Sequence, residues 1–418
     1  MPFSSLGLVP ELARAAADSG YLAPTPIQSA AIPAILRGSD VLGLAQTGSG
    51  KTAAYCLPLL QTLPDSRGAS LRPTLALILV PTRELAAQVG ETVRKLAAGL
   101  PSRPKVAVLF GGVSINPQMM ALRGGAHIVV ATPGRLLDLI DHNALRLSAV
   151  ATLVLDEADR LLDLGFADEI GRILALLPAA RRNLFFSATF PDAVQALADT
   201  MLREPVRIEV EPLTLAQLDI TQRAIGVDPA RRTQLLKHLI GVHGWSRVLV
   251  FVATKYAAEH VADKLRRNGV SAASLHGQLS QGARGQALAD FKDSRMQVLV
   301  ATDVAARGID IVQLPVVVNY DLPRSADDYT HRIGRTGRAG QSGLAVSFVS
   351  ADTEAHFRLI EKRQRVQAPR EHVAGFEPTE TLSPAALSVT DSVNGGVKGR
   401  RKSKKDKLRE AAAVDGGP

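Results

Sequence analysis

The sequence is short of the residues that build disulfides, zinc sites and membrane spans. Its 418 residues include a single cysteine, Cys56, which excludes an internal disulfide, and no group of cysteines and histidines has zinc-ligand spacing. A reducing compartment is therefore expected. No apolar run approaches the ~18 residues of a membrane-spanning helix, and residues 1–8 lack the basic and apolar regions of a signal peptide. We predict a soluble, cytoplasmic protein with no membrane partner.

The composition indicates a globular chain with more than one core. Hydrophobic residues make up 46% of the sequence and charged residues 21%, which excludes wholesale disorder and a membrane bundle. Domains mostly contain roughly 100–200 residues, so this chain is too long for one compact core. We expect two domains.

The net charge favours an anionic partner, but much of that charge is local. There are 49 lysines and arginines against 40 aspartates and glutamates, which gives a formal net charge of +9. Residues 395–418 contain eight basic and three acidic residues, so this short segment supplies +5 of the total. Nucleic acid is the first candidate partner. The basic tail is predicted to be a removable tether for it, and a merely solvated charge run is the alternative.

Short β-rich segments alternate with segments rich in alanine and leucine. Such alternation predicts an α/β fold with parallel, doubly wound sheets. The continuous apolar run of residues 75–80 favours a strand that is buried on both faces, as a parallel sheet requires. Two series of strands predict two sheets. The first series comprises residues 74–80, 106–110, 127–131, 152–155 and 183–186, and the second comprises 248–252, 298–301, 316–319 and 345–349.

A segment from Glu204 to Asp228 separates the two series. It contains prolines and alternating apolar residues without a helical period, which predicts an extended linker. After Gln364 the strand rhythm fades, and after Leu382 serine, glycine, lysine and arginine predominate, so disorder is expected there. The predicted organisation is a first domain at residues 1–208, a linker at 209–221, a second domain at 222–363, and an extension with a disordered basic tail at 364–418.

Residues 45–52, Ala-Gln-Thr-Gly-Ser-Gly-Lys-Thr, have the pattern of a phosphate-binding loop. They follow a strand-like segment and precede a helical one, which is the context that such a loop needs. Glycines let backbone N–H groups surround phosphate oxygens, Lys51 reaches the β- and γ-phosphates, and Thr52 binds Mg²⁺. The usual pattern begins with glycine, so Ala45 departs from it. An ordinary strand-to-helix turn is the alternative.

Asp156 and Glu157 follow the apolar strand at residues 152–155 directly. A carboxylate at this end of a buried strand lies in the crevice where doubly wound sheets bind ligands, so Asp156 is predicted to hold Mg²⁺ opposite Thr52. Glu157 is the candidate that positions and polarises the attacking water. An acidic N-terminus on the following helix is the alternative, but it does not explain the coincidence with the loop. Nucleotide hydrolysis is therefore predicted.

Residues 331–338, His-Arg-Ile-Gly-Arg-Thr-Gly-Arg, place three arginines between glycines. Arginine suits a developing phosphoryl charge because its planar guanidinium stays charged and makes paired hydrogen bonds. A basic surface turn is the alternative reading of this segment taken alone.

Taken in order, these motifs resemble the DEAD-box RNA helicases of helicase superfamily 2, and bacterial RhlE-type members most closely. The resemblance covers about residues 3–360, and alanine is usual in that family at the position of Ala45. It implies two tandem RecA-like domains and an RNA-dependent ATPase with helicase activity. The matching segments are residues 3, 24–28, 45–52, 81–85, 111–112, 132–135, 156–159, 187–189, 276–277, 281, 284, 301–310 and 331–338.

The resemblance implies that ATP and Mg²⁺ are the cofactors. Gln28 then reads the adenine through its amide, which offers a donor and an acceptor together, while Tyr21 and Thr25 help and Phe3 stacks on the base. A hydrophobic staple is the alternative role for Phe3. The expected cofactor-binding residues are Phe3, Tyr21, Thr25, Gln28, Ala45, Gln46, Thr47, Gly48, Ser49, Gly50, Lys51, Thr52 and Asp310.

Arg335 and Arg338 match the family's arginine fingers, and Asp310 matches a contact to the ribose. These residues belong to the second domain, whereas Lys51 and Glu157 belong to the first, so the nucleotide is expected between the two. Supplying the fingers from a separate domain makes hydrolysis conditional on domain closure.

By the same resemblance, single-stranded RNA crosses both domains on the face away from the nucleotide. Glycines let backbone N–H groups approach phosphates, and threonine, glutamine and arginine donate to sugar and phosphate oxygens, so the contacts do not read base sequence. The choice of RNA over DNA rests on the resemblance alone. The matching positions are Arg83, Gly111, Gly112, Thr132, Arg135, Thr254, Gln281, Arg284 and Thr302.

Ser187 and Thr189 are expected, by analogy, to couple the acidic motif to the RNA side, with a simple helix cap as the alternative. For His276 and His331, a structural histidine with satisfied hydrogen bonds is the alternative, and only the surrounding motifs indicate a functional role. Cys56 is read as a packing residue.

The predicted reaction is ATP hydrolysis coupled to domain closure, with local unwinding of short RNA duplexes or remodelling of RNA–protein complexes. ATP and RNA both favour closure, so each should tighten the binding of the other. One alternative is an ATP-dependent RNA clamp in which hydrolysis times release, and another is a DNA-directed motor. The expected state is a monomer, and the expected protein partners, by family analogy, act in ribosome assembly or RNA decay.

Overall fold

Two parallel β-sheets organise the chain. The computed structural model describes residues 2–46, 48–63, 72–211, 219–306, 314–337 and 342–379. Each sheet has seven strands within these residues, with helices between successive strands, so the predicted α/β class is confirmed. Over the same ranges, no helix combines the length and the apolar character that crossing a membrane needs. The basic tail lies outside the described residues.

The first sheet is built from residues 41–209. Its strands are β1 Val41–Leu44, β2 Ala76–Leu79, β3 Val106–Leu109, β4 Ile128–Ala131, β5 Thr152–Leu155, β6 Arg182–Ser187 and β7 Val206–Glu209. They pair in parallel in the order β3-β4-β2-β5-β6-β1-β7. After a short 3₁₀ helix at Phe3–Leu6, the helices are α1 Pro10–Asp18, α2 Pro26–Leu36, α3 Lys51–Thr62, α4 Arg83–Leu96, α5 Asn116–Ala121, α6 Pro133–Asp141, α7 Ala158–Asp163, α8 Ala167–Leu176 and α9 Asp192–Met201.

Both faces of this sheet are buried under helices. Successive side chains of a strand point to opposite faces, so each strand supplies two apolar layers. Ile78 and Val154 belong to one layer and Leu77 and Leu153 to the other, and all four are fully buried. This arrangement accounts for the continuous apolar runs in the sequence, because neither face of the strand meets water.

A buried carboxylate fixes the amino ends of β1 and β6. Asp40 accepts hydrogen bonds from the backbone N–H of Asn183 at 2.7 Å, from the Asn183 side-chain amide at 3.2 Å and from the backbone N–H of Arg203 at 2.9 Å. A buried charge is stable only with such partners. The carboxyl ends of the same two strands, which carry the motifs, are thereby held in register.

The second sheet repeats this architecture. Its strands are β8 Ile220–Gly226, β9 Val248–Val252, β10 Ala272–Leu275, β11 Val298–Thr302, β12 Val316–Asn319, β13 Gly343–Val349 and β14 Arg370–Glu371. They pair in parallel in the order β10-β11-β9-β12-β13-β8-β14. The helices are α10 Arg232–His243, α11 Lys255–Arg267, α12 Gln281–Lys292, α13 Asp303–Ala306, α14 Ala326–Ile333 and α15 Glu354–Gln364, with short 3₁₀ helices at Pro229–Arg231 and Ala351–Thr353.

The segment predicted as an extended linker contributes one strand to each sheet. β7 pairs with β1 over residues 206–209, and β8 pairs with β13 over residues 220–226. The extended backbone expected there is present, but much of it belongs to the sheets. The middle of the segment, residues 212–218, lies outside the described residues.

Residues 365–379, here called the C-terminal strap, pack along the edge of the second sheet. Within the strap, β14 pairs with residues 224–225 of β8. The backbone N–H and the hydroxyl of Thr379 both donate to the Asp228 carboxylate, at 2.8 to 3.1 Å. Arg231 lies over the ring of Phe376 at 5.1 Å. The chain beyond Gln364 therefore extends the second core before the tail begins.

Candidate active site and nucleic-acid interface

The loop at residues 45–52 joins the carboxyl end of β1 to the N-terminus of α3. Gly48 and Gly50 have φ values of 83° and 94°, a backbone conformation that glycine adopts without strain. A Cβ on Gly50 would lie 2.5 Å from the side-chain nitrogen of Gln28. Glycine is therefore required at Gly50 both by the turn and by the close approach of a neighbour.

Lys51 is a buried cation with a neutral partner. Its residue is 6% exposed, and its ammonium group donates to the backbone carbonyl of Ala45 at 2.9 Å. The hydroxyl of Ser49 is buried and has no hydrogen-bond partner among the described residues. A buried positive charge and an unused donor at a helix N-terminus together fit an incoming phosphate group.

Gln28 connects helix α2 to this loop. Its side-chain oxygen accepts from the backbone N–H of Thr25 at 2.9 Å, and its side-chain nitrogen donates to the Gly50 carbonyl at 3.1 Å. Phe3 is buried, with its ring 6.4 Å from that of Tyr21. The structure brings Gln28 and Thr25 to the loop and Phe3 to Tyr21, while the contact of each with adenine stays a prediction.

Asp156 follows strand β5, two strands from β1, and its carboxylate is buried. One oxygen accepts from the backbone N–H of Glu157 at 2.9 Å, and the other accepts from the Tyr55 hydroxyl at 2.8 Å. Burial raises the pKa of Asp156 to about 6, the Lys51 charge opposes this shift, and the Glu157 charge adds to it. The nearby cation and the two donated hydrogen bonds stabilise the ionised form that a metal ion requires.

Tyr55 is a site residue that the sequence did not reveal. It is fully buried in α3, one helical turn after Thr52, and its ring packs against Phe186 with centroids 5.4 Å apart. Burial and the Asp156 charge raise the pKa of Tyr55, and a side-chain hydrogen bond with Thr52 lowers it. The spacing from Thr52 predicts a shared helix face, but the contact with Asp156 bridges 101 residues of sequence.

The residues present fit a nucleotide with Mg²⁺. No cluster of three or more metal-ligating His, Cys, Asp or Glu side chains occurs within the described ranges. Mg²⁺ is commonly bound through one or two protein oxygens together with water and substrate phosphates. The Asp156 carboxylate and the Thr52 hydroxyl, both close to Tyr55, are suited to that mode of binding.

Glu157 has a backbone conformation that is unusual for a residue other than glycine. Its φ of 51° lies in the left-handed region, and the residue is 5% exposed. The carboxylate accepts from Arg160 at 2.9 Å, and both side chains are largely buried. The candidate base Glu157 therefore directly follows Asp156, and its ion pair with Arg160 orients its carboxylate.

Ser187 and Thr189 contact the last residue of the acidic motif. The carboxylate of Asp159 accepts from the Thr189 hydroxyl at 2.8 Å and from its backbone N–H at 3.0 Å. The Ser187 hydroxyl donates to the Thr189 carbonyl at 2.7 Å and accepts from the Asp159 backbone N–H at 3.3 Å. The end of β6 is therefore tied to the start of α7, the geometry that coupling would need.

The segment at residues 331–338 begins on helix α14 of the second domain. Arg332 donates two hydrogen bonds of 2.6 Å to Asp303 and one to the Asn319 side chain at 3.1 Å, so it fixes the ends of β11 and β12. Arg335 is buried. Three residues of the predicted site, Thr47, Asp310 and Arg338, lie outside the described residues.

Charges of both domains act on His331. Burial lowers the pKa of His331, and the charges of Arg160 and Arg335 lower it further, whereas Asp328 and Asp159 raise it. Arg160 and Asp159 belong to the first domain and act on a side chain of the second. The end of α14 therefore lies close to the acidic motif across the interface between the domains.

Most of the predicted RNA-binding residues lie at the carboxyl edge of each sheet, at the ends of strands that do not carry the nucleotide residues. In the first sheet they follow β2, β3 and β4, whereas the phosphate loop, the acidic motif and residues 187–189 lie at the ends of β1, β5 and β6. In the second sheet they occur at or after the ends of β9, β10 and β11. Because the carboxyl ends of parallel strands share one edge, each sheet presents two neighbouring groups of side chains.

Three of these residues, Arg135, Gln281 and Arg284, carry buried polar atoms that lack a hydrogen-bond partner among the described residues. Arg135 donates to the Val113 carbonyl at 2.7 Å, but two of its other nitrogens are buried without a hydrogen bond among the described residues. The side-chain oxygen of Gln281 is also buried and unsatisfied there. Such atoms are costly unless a ligand or water satisfies them, so they fit a strand of nucleic acid.

The loop at Gly111 and Gly112 is anchored by the Gln118 side chain, and its Gly111 faces open space. The backbone N–H and carbonyl of Phe110 both bond to the Gln118 side chain, at 3.1 and 3.0 Å. Gly112 has a φ of 80°, and a Cβ there would lie 2.9 Å from an Arg83 nitrogen, whereas Gly111 faces open space. Thr132 follows β4 at the N-cap position of α6, Thr254 caps α11 and Thr302 ends β11.

Arg284 makes an interdomain contact that the sequence did not predict. Its guanidinium lies 2.8 Å from the carboxylate of Glu84, and the two side chains are 5% and 9% exposed. Glu84 also accepts from Arg83 at 3.0 Å. The contact of Arg284 with RNA stays a prediction, whereas its pairing with the first domain is observed. No sequence signal links Glu84 to Arg284, because they are far apart in the chain.

Two protein-family profiles match the chain. The profile described as DEAD/DEAH box helicase matches residues 25–197, and the one described as helicase conserved C-terminal domain matches residues 231–340. The chain is 41% identical over 395 residues to ATP-dependent RNA helicase DeaD of Mycobacterium tuberculosis, covering 94% of this chain and 69% of that protein. It is 43% identical over 399 residues to ATP-dependent RNA helicase DbpA of Escherichia coli, covering 95% and 86%.

Solved structures resemble this chain over most of its length. Saccharomyces cerevisiae Dbp5 bound to RNA and ADP BeF3 matches with a TM-score of 0.76 at 32% identity, over 88% of this chain and 95% of that one. A DEAD box protein from Methanococcus jannaschii matches with a TM-score of 0.52 at 36% identity, over 89% and 99%. The higher score belongs to the structure that contains RNA and a nucleotide.

Proposed function

This chain belongs to the DEAD-box family of ATP-dependent RNA helicases, and from that premise we propose which residues carry each part of the reaction. As a family member it is an RNA-dependent ATPase that unwinds or remodels RNA. The resemblance to RhlE-type members in particular stays a prediction. The roles below are argued from the contacts described above.

ATP and Mg²⁺ bind between the domains in this proposal. Lys51 and the loop N–H groups hold the phosphates, and Gln28 contacts the adenine. Thr52 and Asp156 hold Mg²⁺, which neutralises charge on the β- and γ-phosphates when it is bound. Support comes from the buried, neutrally partnered ammonium of Lys51 and from the oriented carboxylate of Asp156.

Glu157 orients the attacking water and accepts its proton. Arg335 and Arg338 stabilise charge on the transferred phosphoryl group from the second domain, so hydrolysis depends on closure. Ser187 and Thr189 transmit the state of the acidic motif through their bonds to Asp159.

RNA lies along the neighbouring residues of both sheet edges. The unsatisfied nitrogens of Arg135 and the unsatisfied oxygen of Gln281 support this placement. The contacts are to sugar and phosphate, and the basic tail adds affinity that does not depend on sequence. The full proposed set is Arg83, Gly111, Gly112, Thr132, Arg135, Thr254, Gln281, Arg284 and Thr302.

The remaining proposals concern the whole chain. We place the first domain at residues 1–208, the linker at 209–221, the second domain at 222–363 and the extension with its tail at 364–418. The protein acts as a monomer in the cytoplasm, with ribosome-assembly or RNA-decay proteins as its partners.

The observation that carries the proposal is the buried ammonium of Lys51 at the loop together with the hydrogen-bonded, buried carboxylate of Asp156. The test measures ATP turnover alone, with RNA and with DNA, together with the unwinding of a short RNA duplex. We expect slow turnover without RNA, strong stimulation by RNA and ATP-dependent unwinding. Equal stimulation by DNA would favour a DNA motor, and retention on RNA without unwinding would favour a clamp.

A further inference from the structure

Tyr55 donates a hydrogen bond to Asp156 and lies one helical turn after Thr52, and these are the two residues proposed to hold Mg²⁺. It donates to one oxygen of Asp156 at 2.8 Å, and it also interacts with the side chain of Thr52. The other oxygen of Asp156 accepts from the Glu157 backbone at 2.9 Å. Half of the hydrogen bonding that orients this carboxylate therefore comes from a single side chain of α3.

The ring of Tyr55 is itself held firmly. It is fully buried, and it packs at 5.4 Å from Phe186, the residue that precedes Ser187 on β6. A buried phenol loses little freedom on making its hydrogen bond, since only two side-chain torsions need to be fixed. The hydroxyl is thus a rigid donor attached to the same helix as Lys51 and Thr52.

We propose that Tyr55 is a positioning residue for the metal site, whose hydroxyl holds the Asp156 carboxylate and the Thr52 hydroxyl in the arrangement that receives Mg²⁺ with the nucleotide. The inference rests on the proposed function of this site. Groups that hydrogen-bond to metal ligands orient those ligands, and their loss commonly costs about 10- to 100-fold in metal affinity. The simpler explanation is that Asp156 only satisfies a buried phenol, and it predicts an effect on stability without a specific effect on the metal.

The decisive variant is Tyr55→Phe, which keeps the ring against Phe186 and removes only the hydroxyl. The measurement is the dissociation constant of fluorescently labelled ADP, determined once in excess Mg²⁺ and once in EDTA. We expect Mg²⁺ to tighten ADP binding about 10-fold less in Tyr55→Phe than in the unaltered protein. The affinity for ADP in EDTA should stay within about twofold, because the phosphate and adenine contacts are unchanged.

Tyr329→Phe is a matched control. Tyr329 is also a buried tyrosine, and its hydroxyl donates to Gln222 at 3.0 Å in the second domain. This variant should show the same Mg²⁺ effect as the unaltered protein, and thermal unfolding of both variants checks that each is folded.

An unchanged Mg²⁺ effect in Tyr55→Phe, or an equal loss of affinity with and without Mg²⁺, would overturn the inference. The proposed function fails separately, if the unaltered protein does not bind ADP in either condition.

Discussion

Glu157 combines a strained backbone with an oriented charge. A residue other than glycine at a φ of 51° is uncommon, and such positions persist where the surrounding structure enforces them. Here the enforcing contacts are the backbone bond to Asp156 and the ion pair with Arg160. The turn from β5 into α7 therefore places the carboxylate beside the metal ligand rather than along the helix.

Glu157→Gln should abolish turnover while keeping both ligands. The amide preserves the shape of the side chain but cannot accept a proton, and general-base catalysis contributes about 10²- to 10⁴-fold. We expect the RNA-stimulated rate of ATP hydrolysis to fall by at least about 100-fold, with ADP and RNA affinities within about threefold. Asp163→Asn, an exposed carboxylate at the end of the helix that Glu157 precedes, is the control. Near-normal turnover in Glu157→Gln would remove this residue from its role.

His331 should make stability depend on pH. Its folded-state pKa is lowered, first by burial and then by Arg160 and Arg335, against the opposing charges of Asp328 and Asp159. As pH falls through the ordinary histidine pKa of about 6.5, the unfolded chain takes up a proton that the folded protein resists. Stability is therefore present above that pH and is lost below it.

The test compares urea unfolding of the unaltered protein with His331→Asn between about pH 7.5 and pH 5.5. The unaltered protein should lose more stability across this range than the variant. Parallel losses would mean that other groups account for the pH dependence.

Motif residues could be assigned from sequence, but their partners could not. Lys51, Asp156 and Glu157 were predicted because each sits at a strand end or a helix start, where parallel sheets bind ligands. Tyr55 and Glu84 were missed because their contacts join segments that only the folded chain brings together. Spacing along a helix indicates which side chains lie on the same face, but it does not indicate which distant segment packs against that face.

At the level of elements, strands with fully apolar runs were predictable and short mixed strands were not. Residues 76–79 and 248–252 are buried along their whole length, so their sequences contain no polar residue. β10, Ala-Ala-Ser-Leu, lacks β-branched residues, and β14 has two residues that become a strand only by pairing with β8. The alternation of apolar and polar residues in β7 was visible in the sequence. An edge strand and an extended linker have the same pattern, however, and only the pairing with β1 distinguishes them.

The C-terminal strap should stabilise the second domain. It adds β14 to the edge of β8, it satisfies Asp228 through Thr379, and it packs Phe376 beside Arg231. Each hydrogen bond contributes about 1 kcal/mol, and the apolar contacts add to this. Nothing in the sequence indicated these contacts with β8, Asp228 and Arg231, because they are made to residues more than 100 positions earlier.

A chain ending at Gln364 should therefore unfold at a temperature roughly 5 °C or more below a chain ending at Thr379. The second chain is the control, since it lacks the tail and keeps the strap. Differential scanning calorimetry makes the measurement. If the two chains unfold at the same temperature, the strap does not support the domain.

On the scale of the whole molecule, a buried ion pair joins the two domains. Arg284 and Glu84 are both nearly inaccessible, and burying either charge alone would be unfavourable. Burial and the charge of Arg83 lower the pKa of Arg284, whereas Glu84 raises it. Glu84 also pairs with Arg83 of its own domain, but its bond to Arg284 exists only while the domains are together, so this contact favours the closed state.

A double-mutant cycle tests this contact. Glu84→Gln and Arg284→Gln should each weaken the mutual tightening of ATP and RNA by about 10-fold or more, because each removes the buried ion pair between the domains, and Glu84→Gln also leaves the Arg284 charge without its carboxylate. The double variant should lose much less than the combined single effects. Purely additive losses would leave Arg284 with an RNA contact alone.

The charge of the chain is concentrated where it can be removed without touching the catalytic residues. Residues 395–418 carry +5 of the total +9, so the domains that hold the site are close to balanced. Binding to single strands weakens with salt at a slope of roughly 0.7 per phosphate neutralised. A chain ending at Ser392 should bind single-stranded RNA more weakly at low salt, with a slope reduced by up to about 3.

The catalytic rate at saturating RNA should not change, since Lys51, Asp156 and Glu157 remain in place. The 418-residue chain with serine at the eight basic tail positions is the matched control, because it keeps the length and removes the charge. It should behave like the truncated chain. If both variants keep the original affinity and slope, the tail contributes solubility rather than RNA binding.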